Sequence, residues 1–248
     1  MSFVTSFIFS ACMILLTIFF SLLGVIIYPL PPKTHYKIMR LYAVLNISIL
    51  KYLCGIKYSV EGRENIPDST SIIFCKHQST WETMALQAIF PAHSFIVKRE
   101  LLWLPFFGWG LASMRPVAIN RGTGRKAIAQ LLKKGKALLD TGRWLVIFPE
   151  GTRVTPGEYK RYKIGGALLA ADSGYQIVPV AHNAGEFWPK RGFIKKAGTI
   201  KLVIGPVIQS KGRKAEDILA EAENWIESTC AKISSLPGPD KPSTEMPS

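Results

Sequence analysis

From Met1 to Pro32 the chain carries no charged residue, and this run constrains the fold more than any other feature. As a helix, Phe3–Tyr28 would extend roughly 39 Å at ~1.5 Å per residue, enough to cross a hydrocarbon core of ~30 Å. A cleaved signal peptide fits poorly, because no Lys or Arg precedes the run and no small-x-small cleavage site follows it. Ser6, Ser10, Thr17, Ser21 and Gly24 fall in a stripe about 60° wide at ~100° per residue, and small residues on one face let a second helix approach closely. The sequence YPLPPK, Tyr28–Lys33, then breaks the helix, since proline lacks an amide donor and fixes φ.

A second apolar stretch, Ile38–Leu53, follows. Its uncharged part, Leu41–Leu50, is too short to span a bilayer. It reads as an interfacial or half-buried helix packed on the first. Lys33, Lys37 and Arg40 lie just after the long apolar run, so the rest of the chain is expected on the cytoplasmic face of a membrane. Residues 1–55 are thus expected to form a two-helix membrane motif.

The formal net charge is +14, from 31 Lys and Arg against 17 Asp and Glu in 248 residues. Such an excess points to anionic partners. The apolar N-terminus favours an acidic lipid surface over nucleic acid, and no nucleic-acid module accompanies the charge. Four scattered cysteines share no CxxC spacing, so neither a zinc site nor a disulfide framework is expected.

Beyond residue 55, β-rich runs alternate with helical patterns. Strands are predicted at Ile56–Val60, Ser71–Cys75, Ser94–Val97, Pro116–Ile119, Trp144–Phe148, Ile177–Ala181 and Thr199–Ile204. Helices are predicted at Trp81–Phe90, Gly124–Asp140, Gly165–Asp172 and Ala215–Ile233. This order implies an α/β fold, a mostly parallel mixed sheet flanked by helices, over residues 56–234. The Pro- and Ser-rich tail, 235–248, is expected to be disordered. The uncharged stretch LLWLPFFGWGLASM, Leu101–Met114, reads either as a buried segment or as an acyl-chain channel or lipid-dipping surface.

Three stretches carry candidate chemistry. His77 is expected in the loop after a buried strand, at the strand's C-terminal end, where α/β sheets place their ligands. Glu82, at the start of the following helix, would then reach it. A carboxylate on one ring nitrogen would fix the tautomer and leave the other free as a base. Ser79 and Glu82 also match a capping box, and the two roles are compatible because a carboxylate has two oxygens. The second stretch is FPEGTR, a strand end followed by Glu150, Gly151, Thr152 and Arg153; arginine can grip a phosphate through paired hydrogen bonds. The third is INRGTGRKA, with Arg121 ahead of a helix start. For each, an ordinary structural histidine, turn or solvated basic residue is the competing reading.

Together, KHQSTWE, AINRG, FPEGTR and IVPVA, in this order behind an apolar anchor, resemble the 1-acyl-sn-glycerol-3-phosphate acyltransferase family over roughly residues 56–210. In the family's H-x4-D motif, His77 matches the histidine, Glu82 stands for the aspartate and Lys76 for the usual preceding asparagine. Arg121 matches the second motif, Phe148–Arg153 the third and Val178–Val180 the fourth.

The resemblance implies acyl transfer from a thioester of coenzyme A or acyl carrier protein to the sn-2 hydroxyl of lysophosphatidate, giving phosphatidic acid. His77 would be the general base and Glu82 its orienting acid. Arg121, Glu150, Gly151, Thr152 and Arg153 would form the acceptor site, with Lys98 a further phosphate ligand. Neither metal nor cofactor is expected. Other lysophospholipid or lyso-aminolipid acceptors, a thioesterase using Cys75 or Ser79, and a non-catalytic lipid-binding protein are the rival readings. EFWPKRGFIKK, Glu186–Lys196, mixes aromatic and basic residues in a way that suits a headgroup region.

Overall fold

A computed structural model describes residues 2–120 and 124–236. Its centre is a seven-stranded sheet in the order β1-β7-β6-β2-β5-β3-β4. The strands are β1 (Ile56–Glu61), β2 (Ile72–Cys75), β3 (His93–Lys98), β4 (Val117–Ile119), β5 (Trp144–Ile147), β6 (Ile177–His182) and β7 (Gly198–Ile204). Only β6 and β7 run antiparallel to each other; every other neighbouring pair is parallel. The helices are α1 (Ser2–Ile26), α2 (Pro32–Cys54), α3 (Trp81–Ile89), α4 (Phe107–Ser113), α5 (Arg125–Leu139), α6 (Gly165–Ser173), the short α7 (Ala184–Phe187) and α8 (Ala215–Ile233).

The central strand β2 is buried at every position. Its alternating side chains serve two cores, as the two-residue period of a strand requires. Ile73 and Cys75 join a core with α2 and α3 residues such as Leu50 and Trp81, while Ile72 and Phe74 join one with Leu169 of α6 and Ile226 of α8. A parallel strand covered on both faces needs this continuous apolar run.

The two N-terminal helices are built into the first core rather than appended to it. Phe9, Ala43, Ile47 and Leu50 belong to the same buried cluster as Ile73 and Val146. Pro32 opens α2 at its first helical position, and Gly55 ends it in a left-handed conformation, its amide bonding to Leu50 and Lys51 carbonyls. The small-residue stripe of α1 is the packed face. Ser6, Ser21 and Gly24 are buried, and a Cβ on Gly110 of α4 would approach Ser21 Oγ to 2.6 Å.

Both ends of α1 are tied to the rest of the molecule. Ser6 Oγ accepts the Lys195 amide at 2.9 Å, and the Gly24 carbonyl lies 3.2 Å from His35 Nε2. Elsewhere the helix exposes Phe3, Phe7, Leu15 and Ile26. This helix is long and apolar enough to cross a membrane.

Leu101–Met114 is neither wholly buried nor a loop. It forms a short 3-10 turn and α4, with Trp103, Leu104, Phe106 and Trp109 exposed. Lys195, read from sequence as a headgroup contact, is buried instead: its ammonium donates to Ser10 Oγ and the Phe193 carbonyl, among the Phe9, Trp188 and Phe193 rings. Trp188 is buried too, leaving Phe193 and Ile194 outside. The tail beyond residue 236 lies outside the described residues.

Candidate active site

Because β2, β3 and β5 are parallel, their C-terminal ends share one edge of the sheet. His77 follows β2 there, Lys98 ends β3, and Phe148–Arg153 follow β5. Strand β2 has β6 on one side and β5 on the other, so the crevice lies where the strand order diverges, the usual place for ligands in an open α/β sheet.

His77 Nδ1 and Glu82 Oε1 are 2.7 Å apart. The five-residue separation is bridged by the turn between β2 and α3, not by helical geometry. Glu82 also accepts the Gln78 amide at 3.1 Å and the Ser79 amide at 2.9 and 3.1 Å. Half of the expected capping box is present in this form; the Ser79 hydroxyl oxygen accepts the Trp81 amide at 3.2 Å. The backbone amides donate to Glu82, and an ionised carboxylate can only accept, so its contact with His77 Nδ1 calls for the imidazole proton on that nitrogen. Burial alone would push the Glu82 carboxyl up; the His182 and His77 rings and the Ser79 amide outweigh it and hold the group below its ordinary value. His77 Nε2 is left with its lone pair. The ring stacks on Phe148, centroids 3.9 Å apart, which fixes its plane.

His182, which sequence reasoning did not single out, supports the dyad from below. Its Nε2 lies 2.8 Å from the Lys76 carbonyl, and its Nδ1 accepts the Ala184 amide at 3.2 Å. These roles define a neutral ring with the proton on Nε2. Burial likewise holds His182 below its ordinary value, despite Glu82.

Glu150 departs from its expected place. Expected in the acceptor site, it is instead fully buried and does not line the cavity. Its Oε1 accepts the His77 amide at 3.2 Å and lies 3.4 Å from the Lys76 ammonium. The reason is Lys76, a buried cation that needs carboxylates around it. Glu227 of α8 supplies the closer one, at 2.7 Å, and also accepts the Tyr162 hydroxyl at 2.7 Å. Burial would lower the Lys76 ammonium, yet Glu150 and Glu227 raise it above its ordinary value. Two carboxylates around one cation leave excess negative charge. Glu150 is accordingly pushed up to about 7, chiefly by burial, with Lys76 and the His77 amide pulling the other way.

The cavity beside His77 has a volume of about 600 Å³. Gly151, Thr152, Arg153 and Lys98 line it, joined by Lys190 and Arg191. Lys98 is half-exposed, 3.7 Å from Glu100. Gly151 takes a positive φ of 70°, and a Cβ there would crowd the Lys163 side chain. Arg121 lies outside the described residues.

From this basic rim the cavity follows β3 inward, past Val97, Ile96 and Phe95 to His93. Five strand steps cover on the order of 16 Å. Its walls include Thr17 and Phe20 of α1, Met39 and Tyr42 of α2, and Leu111 and Met114 near α4. Sequence reasoning tied a channel only to Leu101–Met114. The contribution of α1 and α2 comes from residues far away in sequence, and no local pattern marks it. A base at the mouth of a deep apolar cavity with cations on its rim can deprotonate a hydroxyl on an anionic, long-chain molecule.

Residues 57–183 match the acyltransferase family. A 1-acyl-sn-glycerol-3-phosphate acyltransferase of Pseudomonas aeruginosa is 42% identical over 211 residues, covering 84% of this chain and 82% of that protein. A chloroplastic 1-acyl-sn-glycerol-3-phosphate acyltransferase of Arabidopsis thaliana is 30% identical over 203 residues, covering 80% of this chain but 54% of that protein. Among solved structures, the 1-acyl-sn-glycerophosphate acyltransferase of Thermotoga maritima aligns with a TM-score of 0.79 over 95% of this chain and 97% of that one. At 21% identity that likeness is one of fold.

Proposed function

The chain belongs to the 1-acyl-sn-glycerol-3-phosphate acyltransferase family, and from that premise we propose that it moves an acyl group from a coenzyme A or acyl carrier protein thioester to the sn-2 hydroxyl of lysophosphatidate. The observation that carries this reading is the 2.7 Å His77–Glu82 contact at the mouth of a deep apolar cavity with a basic rim.

His77 Nε2 takes the hydroxyl proton as the oxygen attacks the thioester carbonyl. The new ester C–O bond forms, the C–S bond breaks, and the thiolate leaves as the free thiol with the proton held by His77. Glu82, ionised throughout, keeps Nδ1 protonated and stabilises the imidazolium. The thioester is already activated, so the protein needs no nucleophile of its own. Cys75 is buried and its thiol is pushed well up by burial, and the buried Ser79 oxygen accepts a backbone amide. Neither suits the thioesterase reading.

Arg153 and Lys98, with Arg121, hold the acceptor phosphate, and Gly151 and Thr152 border its glycerol. Glu150 acts from behind, fixing the His77 amide. The cavity along β3 takes an acyl chain. The catalytic domain sits on the cytoplasmic face with α1 lying along one leaflet, a pose supported by the tie of its N-terminal end to Lys195 of the domain and of its C-terminal end to His35 of α2.

An acceptor panel tests the reading. The full chain in mixed micelles is given labelled acyl-CoA with lysophosphatidate, lysophosphatidylethanolamine, lysophosphatidylglycerol and a lyso-aminolipid. Lysophosphatidate is expected to lead in kcat/KM by at least about tenfold, because its phosphomonoester offers the charged donors one more free oxygen than a phosphodiester does, at on the order of 1.5–3 kcal/mol per charged hydrogen bond. Acylation of another acceptor with lysophosphatidate untouched would overturn it.

A further inference from the structure

At the opposite end of β3 from Lys98, the molecule gathers cations without anions. Arg40 extends from α2, Arg115 from the turn after α4, and Arg143 from the turn before β5. Arg143 Nε donates to the His93 carbonyl at 3.3 Å, and its guanidinium lies over the Tyr36 ring at 5.2 Å. Arg40 donates from one terminal nitrogen to the Ala88 carbonyl at 2.5 Å. Arg115 lies over the Tyr28 ring at 5.1 Å.

These contacts leave donors unused. Arg40 Nε and one terminal nitrogen of Arg143 are enclosed by protein and have no hydrogen-bond partner. Among the described residues, no carboxylate lies within ion-pair distance of any of the three arginines. Enclosing a cation with neither counter-ion nor full hydrogen bonding is costly. His93 does not relieve it: burial, with Arg143 and Arg40 nearby, pushes this ring down to about 4, so it stays neutral. Arginine's fork suits the oxygens of a phosphate.

The surroundings indicate where such a phosphate would come from. Ile26, Tyr28 and Leu30 at the α1–α2 turn are exposed apolar residues next to the cluster. Lys33 and Lys37 stand exposed at the start of α2. Apolar side chains to enter the acyl region beside cations at headgroup depth make a lipid-facing edge.

We propose that Arg40, Arg115 and Arg143 form a phosphate-binding site, separate from the catalytic one, which takes the headgroup of an acidic phospholipid. The site lies on the order of 16 Å along β3 from the catalytic rim. It would hold the α1–α2 turn, and with it one wall of the cavity, against the bilayer surface.

The test measures binding rather than turnover, so its failure is distinct from failure of the acceptor assignment. The full chain carries Lys98→Gln and Arg153→Gln, which weakens the catalytic rim in every arm alike, and is kept in neutral detergent at 0.15 M salt. Monomeric dihexanoylphosphatidylglycerol is titrated in. One saturable site is expected. Arg40→Gln/Arg143→Gln should weaken it about 25-fold, at about fivefold per charge. Lys33→Gln/Lys37→Gln, which removes the same charge from exposed positions, should change it less than about twofold because salt screens the distant field.

Equal losses in both pairs, or no saturable site, would overturn the proposal. Should the Arg40/Arg143 variant fail to fold, Arg115→Gln, at an exposed position, decides alone: about fivefold weakening supports the site and no change overturns it. Inorganic phosphate is the second probe. Weaker binding than the lipid supports a headgroup ligand, whereas binding as tight as the lipid's overturns it.

Discussion

His77 is flanked by two buried carboxylates, one on the α3 side and one on the α8 side, and the contrast between them explains how the site is built. Glu82, toward α3, accepts hydrogen bonds from a ring N–H and two backbone amides and is held below its ordinary pKa. Glu150, toward α8, shares one lysine with a second carboxylate, keeps one oxygen without a partner, and is pushed up to about 7. Burial is complete in both. The difference lies in the donors: convergent amides and the His77 ring keep Glu82 ionised, as the proposed proton chemistry requires, whereas Glu150 accepts only the His77 amide beside Lys76. Burial and proximity to a histidine therefore do not distinguish the two carboxylates; their hydrogen-bond partners do.

The largest test of this contrast replaces each carboxylate by its amide. Glu82→Gln puts a donor or a weaker acceptor against Nδ1 and the amides. Its kcat is expected to fall about 10²–10³-fold, within the range of general-base effects. Glu150→Gln keeps an oxygen for the His77 amide, so kcat should stay within about threefold. Comparable losses in steady-state turnover would erase the distinction.

Next in size is the Lys76 network. Lys76→Met leaves Glu150 and Glu227 buried without their cation and should destabilise the fold by about 3–5 kcal/mol. Lys76→Met/Glu227→Leu removes the charge pair together and should recover more than half of that loss in denaturant unfolding. A double variant no more stable than the single would show that Glu227 does not pair with Lys76.

The smaller test uses pH. Glu150's folded pKa, about 7, lies above the ordinary carboxyl value, so the folded state binds more protons than the unfolded state between these values. Stability from this group therefore falls as pH rises from about 4.5 to 7, by up to about 3 kcal/mol at ~1.36 kcal/mol per pKa unit. Glu82 acts with the opposite sign: its contribution is present above the unfolded carboxyl pKa and disappears as pH falls through its lower folded value. Unfolding of Glu150→Gln should lose the first slope, read between pH 5 and pH 7.5, and keep the second, read on acidification below the ordinary carboxyl pKa.

Much of this arrangement was legible in the chain. Short β-branched runs gave all seven strands, and the break between Cys75 and Trp81 placed His77 in a strand-to-helix turn. Helix α4 was not resolved because Pro105, Gly108 and Gly110 interrupt any helical period. The burial of Glu150 was hidden for a different reason. FPEGTR reads as an exposed strand-end turn, and the other carboxylate on Lys76 lies 151 residues away. Lys195 misled in the same way, since a lysine among aromatic residues looks alike at a headgroup or enclosed by three rings. Local pattern defines elements; partners distant in sequence decide which polar side chains are enclosed.

The most direct measurement is single-turnover acylation of lysophosphatidate by His77→Ala, with folding and lipid binding checked on the same preparation. With the base gone, the rate is expected to fall by at least about 10²-fold while lysophosphatidate still binds. A folded, lipid-binding His77→Ala protein that acylates within about threefold of the wild-type rate would contradict general-base catalysis by this histidine.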